Sequence, residues 1–137
     1  GDDGSERLLV ELPDGQAVCH GDFHPDNILM AARGPVVIDW MTASSGNPMG
    51  DVARTWVLFS AGSSPLGTHR LQRAVINGLR QAFLRAYLRS YWRLGGESPA
   101  QMEAWILPVA TARLAERVSG EEARLLDMLV PRLAALS

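Results

Sequence analysis

The chain contains no lysine: all thirteen of its cationic side chains are arginine. Any mechanism that needs a lysine from this chain, as a phosphate grip or as an imine-forming amine, is thereby excluded. Cysteine is almost absent too. Cys19 stands alone, so neither an internal disulfide nor a zinc site with two thiolates can form. The longest strongly apolar stretch, Trp56 to Ala61, is far short of a bilayer span, and the N-terminus is acidic where a secretory signal would be basic. These absences predict a cytoplasmic domain with no membrane partner. The chain opens Gly1-Asp2-Asp3 without methionine, which reads as a processed or tagged product, or as a piece of something longer.

Acids are missing from the middle of the chain. Residues 1–51 carry nine acids and two arginines, for −7, whereas residues 52–96 hold seven arginines and no acid, for +7; the remainder contributes −2. With 137 residues, 47% hydrophobic and 20% charged, the composition fits one compact domain over 1–137 and excludes disorder and coiled coil.

Residues 5–12 read as the end of a helix or a short strand, stopped by Pro13-Asp14-Gly15. Ala17 to Cys19 is a short apolar run, and Ile28 to Ile38 has the composition of a small hairpin. Asn47-Pro48, with Asp51 in the first turn, predicts a capped helix to about Ala61. After a loop at Gly62 to Gly67, Leu71, Val75, Leu79, Phe83 and Tyr87 recur at four-residue steps in a long helix ended by Gly95-Gly96. Further helices are expected from Ser98-Pro99 to about Ser119, kinked at Pro108, and over 121–136. The fold class is therefore α+β, predominantly α.

Chemistry concentrates in Cys19-His20-Gly21-Asp22-Phe23-His24-Pro25-Asp26-Asn27-Ile28-Leu29 and in Ile38-Asp39-Trp40. Asp22, Asn27 and Asp39 are hard oxygen donors, and a hairpin can bring a residue before its first strand near one after its second. That donor set suits magnesium, with substrate phosphates completing the shell. Zinc is the alternative raised by His20 and His24, but neither has a thiolate or third histidine close by in sequence.

The run His20 to Leu29 matches H-G-D-x-H-x-x-N-[IL]-[LV], Asp39 follows as the aspartate of I-D-W, and Gly46 to Asp51 matches G-[DN]-P-x-x-D. In these three motifs, taken in order, the chain resembles the aminoglycoside phosphotransferase and choline kinase-like family, small-molecule kinases with a two-lobed protein-kinase fold. The resemblance implies a kinase-like C-terminal lobe whose hairpin carries the catalytic loop. It implies Asp22 as base toward a substrate hydroxyl, and Asn27 and Asp39 as magnesium ligands on the phosphates of ATP or GTP. His24 either bonds within the loop or touches the transferred phosphate. His20 is expected to pack beneath the loop, and Asp51 to brace it as a buried acceptor.

The departures are as telling. No glycine-rich phosphate cover and no strand lysine are present, and Gly62 to Gly67 is followed by Thr68-His69, not by a P-loop Lys-Ser/Thr. Three readings follow. One is a phosphotransferase acting on a small hydroxyl compound, with an aminoglycoside as a candidate acceptor and Asp26, Glu97, Glu103, Glu116, Glu121 and Glu122 as candidate ammonium contacts. The others are a non-catalytic binding module and a fragment of a longer kinase lacking its N-terminal lobe. Either a missing lobe or a homodimer is the expected partner, with an arginine of a second chain replacing the lysine. Arg85, Arg89 and Arg93, beside Tyr87, Tyr91 and Trp92, form a basic aromatic helix face, but no recognition motif supports a nucleic acid.

Overall fold

The computed structural model describes residues 12–62, 67 and 69–137. The element expected over residues 5–12 lies almost wholly outside that span, as does most of the loop after Gly62.

Strand β1 (Ala17–Cys19) pairs antiparallel with β4 (Ser44–Gly46), and β2 (Ile28–Ala31) pairs with β3 (Gly34–Val37). The β2–β3 hairpin is the one its apolar runs predict. Gly34 closes its tip at φ 114°, a conformation that costs glycine little. Strand β4 is Ser-Ser-Gly, with no β-forming composition; its pairing to β1 makes it a strand.

Helix α1 (Pro48–Ala61) begins as its sequence dictates, with the Asn47 side chain accepting from the Met49 N–H at 2.8 Å and Pro48 in the first turn. Its buried side includes Met49, Val52, Val57 and Ala61, which meet Met102, Ile106 and Ala110 of α3 (Pro99–Ala115) and Leu125 and Leu129 of α4 (Glu122–Ala134). Gly50 permits this approach: a β-carbon there would sit 3.1 Å from the Trp105 ring. Helix α3 stops four residues before the expected Ser119. Arg117 takes a left-handed φ of 54° and the Glu116 N–H turns back to the Arg113 carbonyl, a tightening that ends the helix.

Helix α2 (Arg70–Leu94) is the long helix expected before Gly95-Gly96, and its apolar stripe is covered only in part. Tyr87, Leu88, Tyr91 and Trp92 pack against the core, and Phe83 stacks on Phe59 at 5.2 Å, but Leu71, Val75 and Leu79 are 82%, 60% and 65% exposed. At 1.5 Å per residue this 25-residue helix is about 37 Å long, against about 21 and 25 Å for α1 and α3. Its first turns overhang the core. No helix among the described residues is long and apolar enough to cross a membrane.

Candidate active site

The segment His20 to Phe23 lies between β1 and the turn that precedes β2, and its backbone is held by side chains from three directions. The Asp51 carboxylate accepts from the His20 N–H at 2.9 Å and the Gly21 N–H at 2.7 Å. The Arg54 Nε donates to the Gly21 carbonyl at 2.7 Å, and the Thr55 hydroxyl donates to that of Phe23 at 3.2 Å. From the loop after the hairpin, the Thr42 hydroxyl donates to the His20 carbonyl at 2.9 Å. Asp51, Arg54 and Thr55 stand at i, i+3 and i+4, hence on one face of α1.

Buried His20 contributes the central link. Its Nε2 lies 2.8 Å from the Ile38 carbonyl, which can only accept, so Nε2 carries the proton and Nδ1 is left to accept from the Asp22 N–H at 3.2 Å. One neutral imidazole thus joins the backbone of Asp22 to the peptide immediately before Asp39. The ring is wedged against Trp40, centroids 4.6 Å apart, and meets Phe23 edge-on at 6.2 Å. Phe23 in turn stacks on Tyr87 at 5.3 Å, and burial pushes the Tyr87 phenol well above its ordinary range, against the hydrogen bond with Thr55. That phenol stays neutral.

The hairpin brings the second acid near. The Ile38 N–H donates to the Asn27 carbonyl at 2.8 Å, closing the base of β2–β3 so that Asp39 directly follows the residue paired with Asn27. Asp39 is exposed, in no ion pair with the described residues, and takes a left-handed φ of 59°, a conformation in which aspartate is enriched among non-glycine residues. Asn27 is buried and turns its Nδ2 to the Asp22 carbonyl at 2.8 Å and carboxylate at 3.3 Å, which leaves Oδ1 as its coordinating end. Two carboxylates and an amide oxygen are hard donors of the kind magnesium takes. Among the described residues no group of three or more His, Cys, Asp and Glu side chains is arranged to hold a metal.

His24 sits with Nε2 3.4 Å from the Asp22 carboxylate and equally far from the Asn27 Nδ2, contacts that require opposite proton positions. Asp26 is solvated, its side chain 96% exposed. Beside these residues opens a cleft of about 450 Å³, lined by Asp22, His24 and Asp26 on one side and by Leu58, Phe59 and Arg113 among others.

Sequence reasoning missed the arginines behind this cleft. Arg54, besides holding Gly21, donates to Glu116 at 2.9 Å; Glu116 accepts from Arg113 at 2.6 Å; and Arg113 grips Glu121 through two bonds of 2.7 and 2.8 Å. Hydrogen bonding to Glu121 raises the Arg113 pKa further, outweighing burial, so its charge is permanent. The signal for Arg54 and Thr55 was their helical spacing from Asp51. For Glu116 the signal was its three-residue spacing from Arg113; its pairing with Arg54, and that of Glu121 with Arg113 across the end of α3, had none.

The model of the phosphotransferase enzyme family, APH, matches residues 3–105, well over half of the chain and inclusive of the loop, the hairpin, α1 and α2. The chain belongs to this family. Comparison with curated proteins and with solved structures gave no match.

Proposed function

We propose that this chain is the C-terminal lobe of a kinase-like phosphotransferase that moves the terminal phosphoryl group of ATP or GTP to a hydroxyl of a small molecule. One observation carries the reading: seven main-chain polar groups of residues 20–23 are held by side chains, which fixes Asp22 at the mouth of a cleft. Phosphoryl transfer asks a protein for positioning and charge neutralisation more than for covalent chemistry. Asp22 orients the acceptor hydroxyl and takes its proton as the new P–O bond forms and the bond to the nucleoside diphosphate breaks. His20 and Asp51 hold the loop without touching substrate. His24, 3.4 Å from the Asp22 carboxylate, stands where it meets either that carboxylate or the transferred group. Asn27 and Asp39 would hold magnesium, which supplies charge neutralisation on the phosphates. With no lysine in the chain, the cation on the nucleotide is an arginine of this or a second copy, or comes from a further lobe.

That same lack favours a second reading, a lobe that binds without turnover or is part of a longer kinase. The deciding assay is nucleoside diphosphate release in the presence of hydroxyl acceptors, an aminoglycoside among them, with Asp22→Asn beside the wild type. Loss of the base is expected to lower kcat by about 10²- to 10⁴-fold. The melting temperature should stay unchanged, because Asn keeps the shape. Equal turnover by the two proteins refutes the assignment of Asp22, and a wild type inactive with every acceptor supports the second reading.

A further inference from the structure

We infer that the cleft beside Asp22 accepts an uncharged hydroxyl compound with an apolar face and discriminates against polyamines. This rests on the reading of Asp22 as the base and names the acceptor class for it. The described charges on the cleft wall are Asp22, Asp26 and Glu121 against Arg80 and Arg113, with His24 beside them. Asp22 is committed to the acceptor hydroxyl. Both carboxylate oxygens of Glu121 are occupied by the Arg113 fork, and that side chain is only 7% exposed. An arriving ammonium would have to displace a planar two-bond guanidinium that is also tied through Glu116 to Arg54. Asp26 remains, and its solvation and screening make it a weak partner.

The other acids that the sequence offers as ammonium contacts are paired or line other hollows. Glu103 pairs with Arg132 at 2.7 Å, Glu97 lines a separate hollow with Gln101 and Trp105, and Glu122 lies in another with Arg117. Beyond the one ammonium that Asp22 can meet, each ammonium of a polyamine would lose water in the cleft without an unpaired, fixed carboxylate of the described wall in exchange, an uncompensated cost. The apolar wall is well built by contrast. Leu58 and Phe59 stand side by side, Phe59 stiffened by its stack on Phe83, and Pro25 faces the same space. A volume of about 450 Å³ lies within the range of small-molecule sites.

The test is calorimetric titration of the full chain, free of nucleotide and at physiological salt, with octyl β-glucoside below its micelle concentration and, separately, with spermine. Octyl β-glucoside is expected to bind saturably, and more tightly than spermine. Leu58→Gln should weaken it by about tenfold, the equivalent of one lost apolar contact. Arg80→Gln, which raises the excess of acids on the described cleft wall from one to two, should strengthen spermine binding. The proposal is overturned if octyl β-glucoside fails to bind saturably, or if spermine binds the wild type as tightly and Asp22→Asn, Asp26→Asn or Glu121→Gln weakens it. Circular dichroism of each variant separates loss of binding from loss of fold. Because no nucleotide is present, these results stand apart from the phosphotransfer assay: binding without diphosphate release would count against the Asp22 chemistry alone.

Discussion

At the scale of single residues, Glu116 links α1 and α3 by accepting from two guanidinium groups. Burial alone would raise its pKa, but the hydrogen bonds and charges of Arg54 and Arg113 outweigh that and hold it below 4.5, its ordinary value. The unfolded chain therefore takes up this proton at higher pH than the folded one does. The stabilisation is complete above the ordinary glutamate range and is lost as pH falls through the depressed value. Urea midpoints measured from neutral pH down to about pH 3 should fall less steeply in Glu116→Gln than in the wild type, over the acid window in which carboxylates titrate; parallel curves would show that the pair contributes nothing to acid sensitivity. Such a pairing was invisible in the sequence, since residues 54 and 116 meet only when α1 and α3 pack. Asp22, Asn27 and Asp39 were legible as candidates because their donor chemistry and motif spacing are local. Asp51 was legible as an acceptor, but Arg54 and Thr55, which brace the same loop, were passed over, although the helical period puts all three on one face.

Elements whose ends are set by local chemistry were read well. Asn47-Pro48 started α1 and Ser98-Pro99 started α3, each by a cap that needs only neighbouring residues. Strand β4 escaped notice because its existence depends on β1, and the end of α3 because Arg117 adopts a left-handed conformation that nothing in its side chain requires. In α2 the four-residue period located a stripe and left its burial open, for periodicity states which side of a helix is apolar and not how far the neighbouring helices reach. Replacing Leu71, Val75 and Leu79 together by Gln is accordingly expected to leave the urea midpoint nearly unchanged, within the ±0.5 kcal/mol usual for surface sites. Leu84→Ala, at the buried position of the same helix, should cost about 2–5 kcal/mol. A large loss in the triple variant would mean that those turns are covered after all.

For the whole molecule, charge is segregated, −7 before Val52 and +7 over the following segment, and Leu29, Met30 and Val36 on the hairpin and Trp40 and Met41 beyond it stand exposed. Contiguous apolar surface on a soluble chain is usually covered by a partner. Light scattering at micromolar concentration is expected to return the mass of a dimer, and a strictly monomeric species would show that this face tolerates water. Charge attraction between unlike segments should make any dimer weaken with added salt. The bracing of residues 20–23 also sets a clock. Surface loops ordinarily exchange their amide hydrogens quickly, by small local fluctuations. Here the Gly21 and Asp22 amides end on Asp51 and on a buried imidazole, so solvent reaches the first only when α1 lifts away from the loop and the second only when the His20 ring leaves its seat. Their exchange in deuterium oxide should be as slow as that of the α1 core amides, and the lifetime of the arranged carboxylate would then be the lifetime of the fold itself.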